Sequence, residues 1–458
     1  MFSLPGIVAL LLLTYVRPQE IYPALAELPL LYVAFGLAIV GLIVDIKLRL
    51  VRPLRSPQLP WVVAFCLWCL ASVAFHAPEE LPAAAVEVGV IFAIFLLVAH
   101  GAQSFTGLRM LGGGVLLLSL FLALIAVHQR FAPYGCVELD PTSGREFRGT
   151  PDGRPCERRA QCYAGDPEPG AEYVCERVGL LGTTTVGNGR VRYRGTLQDP
   201  NELALVVSLA LPLAVALLRR RGGSWRRVLL LVAIALIAAT VLFTRSRGGL
   251  LVFVAVVGVY LLRRYRLRGA LLAVALAIPL LLWVDEHRAD SAASSTDRLE
   301  AWYEGMSMFR SSPVWGVGFG RFDRYHYLTA HNSYVLAAAE LGLVGAFLWL
   351  SVLYTSTKQL LVALRRYAGR PEAVEARSWA AALLAALSGL AVGIFFLSFS
   401  YHFIFWVYVG LSGAFSAAVQ GHDPAWRVRF GLHDWALAGA ATVVIVLGMH
   451  LFTRINPP

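Results

Sequence analysis

The chain has 458 residues, of which 57% are hydrophobic and only 15% charged, whereas a soluble globular domain carries nearer a quarter charged residues. The apolar residues come in runs of roughly 16 to 22, the length at which a helix crosses a hydrocarbon core, and in lipid such runs must be helical because each backbone polar group has to be satisfied within its own segment. A soluble multidomain protein is thereby excluded, and the formal net charge of +11, which on a soluble chain would suggest nucleic acid, is read as a signal of membrane topology, with no nucleic acid among the partners.

Taken in chain order, spans are expected at 1–16, 28–46, 60–75, 82–100, 107–128, 197–218, 227–243, 247–262, 269–284, 333–355, 378–398, 402–419 and 435–452. The expected fold is an all-α polytopic transmembrane bundle of about 12–13 spans, a single transmembrane domain over 1–458 with two long loops at 129–196 and 285–332. Met1–Val16 has no basic leader and no small-x-small cleavage site, so it reads as a retained hydrophobic segment. Five short connectors are basic: Lys47–Arg55, Arg219–Arg227, Arg263–Arg268, Lys358–Arg377 and Arg427–Arg429. Alternating the spans puts all five on one face, which the positive-inside bias makes cytoplasmic. Both long loops, the turn Thr244–Arg247 and Ser398–Tyr401 then lie outside.

Cys136, Cys156, Cys162 and Cys175 all fall in loop 129–196. Four cysteines in a Gly/Pro-rich loop on the oxidising side read as two disulfides, with three pairings open. Their spacing is poor for zinc, and the chain has neither an Asp-x-Asp pair nor a His-Glu-x-x-His string, so neither a metal nor another cofactor is expected. Carboxylates are scarce within the spans. Glu340 is the most deeply placed and should need an arginine partner.

Four strings at the outer face carry the chemistry. In Arg192-Tyr-Arg194-Gly-Thr-Leu-Gln-Asp199-Pro200-Asn201-Glu202, the second half reads as a helix start: Asp199 at the N-cap, Pro200 at the first position and Glu202 completing a capping box. The two preceding arginines need another reason, and guanidinium groups above a helix N-terminus suit phosphate. Thr244-Arg245-Ser246-Arg247-Gly248-Gly249 puts two more cations in a tight outer turn, either as snorkelling anchors or as a second phosphate grip with glycines allowing close approach. In loop 285–332, residues 297–310, beginning Asp297-Arg298, form an amphipathic helix with Leu299, Trp302, Met306 and Phe309 on one face, suited to a membrane surface. Gly316, Gly318 and Gly320 follow no parallel strand, so a dinucleotide fingerprint is rejected. Last comes His331-Asn332-Ser333-Tyr334, with Asn332 or Ser333 a natural helix cap, running into Glu340-Leu-Gly342-Leu-Val-Gly345.

This ordered set, over roughly residues 190–350, resembles the O-antigen ligase/polymerase family. The resemblance implies an inverting, metal-independent glycosyltransferase of a bacterial inner membrane, with its active site facing the periplasm. It implies a donor glycan on undecaprenyl pyrophosphate and a glycan or lipid A-core acceptor, with membrane lipids as surroundings. Carried onto this sequence, Arg194 (or Arg192) and Arg247 take the pyrophosphate and His331 serves the acceptor hydroxyl. Arg245, Arg298, Asn201, Asn332 and Glu340 are expected to line the substrate. The ligase reaction is favoured over repeat-unit polymerisation, and a lipid-linked glycan flippase is the alternative from another class. The cysteine-bearing insert departs from the family pattern and bears on acceptor choice.

Overall fold

A computed structural model describes residues 1–52, 56–139, 149–164, 167–194, 197–218, 223–286 and 291–457. Pro53–Arg55 and Arg219–Gly222, parts of two basic connectors, lie outside the described residues, as do 140–148 of the long loop and 287–290 of the second loop. In chain order the elements are α1 (Ser3–Tyr15), α2 (Pro18–Ile21), α3 (Pro23–Ala26), α4 (Leu30–Lys47), α5 (Leu59–His76), α6 (Leu81–Gly101) and α7 (Phe105–Phe131). Strands β1 (Tyr134–Leu139), β2 (Gly149–Pro155) and β3 (Glu172–Arg177) follow. Then come α8 (Pro200–Leu218), α9 (Ser224–Thr244), α10 (Arg247–Tyr265), α11 (Leu267–Glu286), α12 (Ser291–Ser311), α13 (Ser333–Arg366), α14 (Val374–Gly393), α15 (Phe403–His422) and α16 (Leu432–Ile455).

The protein is an all-α polytopic membrane bundle. Among the described residues, twelve helices are long and apolar enough to cross a membrane: α4 to α11 and α13 to α16. The first expected span is a helix of only 13 residues, which rises roughly 20 Å against a core of about 30 Å. Helix α13, which is broken at Gly342, continues to Arg366, well past the expected 355, because its last turns meet no glycine or proline before Gly369.

The chain divides into two compact units. The first comprises Met1–Leu10, Leu31–Gly114 and Asp290–Pro458. Here the start of α1 lies antiparallel to α4. The Asp45 carboxylate accepts the N–H of Phe2 (2.8 Å), the N–H of Ser3 (3.0 Å) and the Ser3 hydroxyl (2.7 Å), capping the helix start. The N-terminus therefore lies at the end of α4 that carries the Lys47–Arg55 connector, as the alternation of spans requires. Helix α13 is the spine of the unit and packs against α5, α12, α14 and α16. The face of α12 formed by Trp302 and Met306 is buried with Val446 and Met449 of α16. The apolar stripe read as a membrane-surface face thus meets protein, because α13 and α16 offer it a larger apolar surface to bury.

The second unit comprises Leu11–Leu30 and Val115–Ala289. Helix α8 is its centre, with Leu203 to Leu213 buried throughout against α9 and α10. The loop between α7 and α8 holds a structure not expected from the sequence, an antiparallel sheet in the order β2-β1-β3. Cys136 is bonded to Cys162 and Cys156 to Cys175, with Cα separations of 5.4 and 6.0 Å. The two expected disulfides are present, in one of the three pairings left open. The clustered sulfurs of Cys136, Cys156 and Cys162 are disulfide sulfurs, and metal ligation requires the thiolate.

Candidate active site

Within the second unit the two arginine-bearing strings are joined. The Val191 N–H donates to the carbonyl of Phe243 (3.3 Å), Arg190 Nε to the carbonyl of Thr244 (3.0 Å), and Arg245 Nη1 to the carbonyl of Asn188 (3.1 Å). The turn between α9 and α10 is only two residues long. Arg245 takes the left-handed conformation (φ 45°), and Ser246 returns to extended geometry as the N-cap of α10, its hydroxyl accepting from the Gly249 N–H at 2.8 Å. Left-handed backbone is costly for a side chain other than glycine, so the turn is held by its surroundings.

Asp199 caps the start of α8, as the sequence suggested. Asp199 Oδ1 accepts the Asn201 N–H (2.8 Å) and the Asn201 side-chain amide (2.7 Å). Asn201 is buried, and its Oδ1 accepts the Ser246 hydroxyl. A Cβ placed on Gly249 would collide with that of Ala204. Asn201 meets Ser246, and three residues on in both helices Ala204 meets Gly249. The N-terminal turns of α8 and α10 therefore lie side by side and parallel, so their dipoles add at one place. Arg247 is the first residue of α10 and stays partly exposed.

The arginines of the first string have different surroundings. Arg192 is buried, its Nε donating to the Thr184 carbonyl (2.9 Å) and its Nη2 to the Thr184 hydroxyl (2.8 Å), with Glu176 at 3.5 Å. This guanidinium is engaged inside the protein, which suits a positioning role. Arg194 is partly exposed. Its Nη1 donates to the Glu20 carbonyl (2.7 Å) and its Nη2 to that of Gly182 (3.0 Å). Two of its five N–H donors are thus fixed and aim the group.

The first unit holds the other residues. His331 is partly exposed and left-handed (φ 46°), directly before α13. Asn332 is the N-cap, its Oδ1 accepting from the N–H groups of Tyr334 (2.9 Å) and Val335 (3.2 Å), and it is fully buried. Its Nδ2 has no hydrogen-bond partner among the described residues. Ser333, expected from the sequence only as an alternative cap, ties this start to the loop after α14. Its hydroxyl donates to the Leu397 carbonyl (2.6 Å) and accepts from the Phe399 N–H (2.7 Å). Arg298 lies on α12, partly exposed.

Glu340 corrects one expectation. Its carboxylate is buried, yet among the described residues its partners are the backbone N–H groups of Gly320 (3.1 Å) and Phe322 (2.9 Å) rather than an arginine. The glycine string explains why. Gly316, Gly318 and Gly320 all have positive φ, and a Cβ on Gly316 would strike the backbone of Glu340. The strap runs along α13 where Gly342 (φ 64°) breaks the helix, its Val317 and Gly318 N–H groups donating to Ala339 and Glu340 carbonyls, both at 2.9 Å. Trp68 Nε1 takes up the Leu341 carbonyl at 2.9 Å. Gly316 and Gly342 thus serve close backbone approach.

Residues 230–350, about a quarter of the chain, match the family model described as O-antigen ligase. The protein carries an O-antigen ligase family domain. The resemblance read from the ordered motifs is borne out over that stretch, which takes in Arg245, Arg247, Arg298, His331, Asn332 and Glu340 and begins beyond Arg192, Arg194 and Asn201. No curated protein matches the chain. The O-antigen ligase domain contains the two-residue turn, the start of α10 and the break in α13, and residues outside it supply the start of α8.

Proposed function

We propose that this protein is a multi-pass glycosyltransferase of the bacterial inner membrane, facing the periplasm, which transfers a saccharide from undecaprenyl pyrophosphate to a lipid A-core or similar acceptor. The observation that carries this reading is the pair of parallel helix starts at Pro200 and Arg247, locked by Asp199, Asn201 and Ser246. Its second member lies in the stretch matching the O-antigen ligase family. Helix N-termini with an adjoining guanidinium favour phosphate oxygens, and arginine keeps its charge near a membrane.

In this reading Arg247 and Arg194 hold the pyrophosphate, and His331 takes the proton of the acceptor hydroxyl. The acceptor oxygen bonds to the anomeric carbon from the face opposite the leaving group. The bond from that carbon to the phosphate oxygen breaks, and its electron pair leaves with undecaprenyl pyrophosphate, which the guanidinium groups stabilise as charge develops. The anomeric centre inverts. The carbon is already activated by its leaving group, so the reaction is proposed to run without a metal.

The test is transfer by purified protein in lipid nanodiscs from a synthetic undecaprenyl-pyrophosphate saccharide, with a chelator present. Inverted product is expected. His331→Ala should lose about 10²–10⁴-fold in rate. Arg247→Ala should lose about 10²–10³-fold, with Arg247→Lys a poor substitute because lysine cannot make the bidentate contact. Full transfer by both alanine variants would remove the reading. In cells lacking the gene, finished polymer left on the carrier marks a ligase, and single repeat units mark a polymerase.

A further inference from the structure

Among the described residues, the disulfide sheet has a small apolar interior. Its buried cluster is Cys136, Cys156, Cys162 and Tyr173, packed with Ala171 and Cys175. Three strands of six, seven and six residues are marginal without such cross-links. The bridges enter at one point, because Cys136 and Cys175 stand directly opposite each other on β1 and β3.

Three consecutive residues of β3 then act on neighbouring chain. Cys175 closes the bridge to Cys156. Glu176 faces Arg192 Nη2 at 3.5 Å. The Arg177 N–H donates to the Thr185 hydroxyl (3.0 Å), its Nη1 donates to the Ala132 carbonyl (2.7 Å), and its guanidinium lies 4.5 Å from the centre of the Tyr134 ring. Thr184 receives two hydrogen bonds from Arg192, whose own N–H donates to Gln129 of α7 at 3.0 Å. Two residues further on stands Arg194, and Arg190 and Val191 of the same segment bond to the end of α9.

We propose that the disulfide-knit sheet is a clamp that fixes segment 190–194 for donor binding, with Glu176 as a positioning residue acting through Arg192, so that donor affinity requires both bridges closed. This rests on the reading of Arg194 and Arg247 as donor contacts. A sheet that only stabilised the fold would, when opened, lower the folded fraction and the turnover number together. A clamp raises KM for the donor and leaves the turnover of bound donor near its starting value.

The experiment uses the full-length protein in nanodiscs on a Cys66→Ala/Cys69→Ala background, since Cys66 and Cys69 are free thiols. Dithiothreitol gives two electrons and two protons to each bridge and leaves as its cyclic disulfide. The released thiols are then alkylated. Donor KM is expected to rise at least about tenfold, with kcat changing less than about threefold. Glu176→Ala with both bridges intact should move KM in the same direction, and Glu176→Gln should recover part of it by keeping an acceptor for Arg192. An unchanged KM in both the reduced protein and Glu176→Ala, while Arg247→Ala remains impaired, overturns the clamp and leaves the proposed function standing. Full activity of both Arg194→Ala and Arg247→Ala overturns the function reading itself, and the clamp with it.

Discussion

Gly249→Ala probes the link between packing and chemistry most directly. The new Cβ would fall on the Cβ of Ala204, whereas carbon atoms of packed side chains sit about 3.5–4.0 Å apart. Helices α8 and α10 must therefore part by roughly 1–2 Å at their N-terminal turns to restore that spacing. Overpacking of this size costs about 1–3 kcal/mol. Separation also pulls Ser246 from Asn201 and shifts Arg247, and a misplacement of about 1 Å in a positioning group can cost about 10²-fold in rate. The assay is donor turnover in nanodiscs alongside unfolding by denaturant. Ala204→Gly in the same protein moves the missing methyl to the other helix. The double variant should recover most of the loss, with a coupling energy of about 1–2 kcal/mol. Full activity and stability in Gly249→Ala, or no recovery in the double variant, would refute the role assigned to this helix contact.

Glu340→Ala leaves the buried N–H of Phe322 and the exposed N–H of Gly320 without their acceptor; only the buried one must stay unpaired, at about 1–3 kcal/mol, so stability should fall by about 1–3 kcal/mol in a denaturant titration, with Glu340→Gln milder. Asn332→Ala removes the cap of α13 and should cost about 1 kcal/mol. Asn332→Asp keeps the capping oxygen and replaces only Nδ2, so lost turnover at unchanged stability would show that this amide serves substrate. Burial pushes the Glu176 carboxyl up to about 7 from an ordinary 4.5, against the pull of Arg192 and Thr184. The folded protein therefore binds this proton more tightly than the unfolded chain, so the group's contribution to stability is present below about 4.5 and is lost as pH rises through about 7. Its charge pair with Arg192 has the opposite sense, intact above about 7 and neutralised below. Donor KM should accordingly rise as pH falls from about 8 to about 6, and Glu176→Gln should flatten that rise. The same slope in the Gln variant would assign it to another group.

Much of this protein is legible in one dimension, because a bilayer reduces the folding problem to length and hydropathy. The spans, the basic connectors and the capped starts at Asp199 and Asn332 depend on neighbouring residues and were readable for that reason. The order of the arginine, glycine and histidine strings carried the family resemblance in the same way. Loop 129–196 gave up its disulfides through cysteine count, yet not its sheet. The alternation in Glu-Tyr-Val-Cys-Glu-Arg spans only six residues, and its partners lie on either side of long turns.

What only the tertiary structure decided is which polar group answers which. Glu340 called for a cation by sequence logic and met two backbone N–H groups, donors that every residue but proline owns and no sequence distinguishes. Arg192 and Arg194 look alike in the string, yet one is enclosed by Thr184 and Glu176 while the other stays partly exposed. Serines 246 and 333 became important only once a second segment arrived within hydrogen-bond reach. Hydropathy is a property of a segment and survives in the sequence. A hydrogen bond between residues 45 positions apart is a property of their distance in space, which only folding sets.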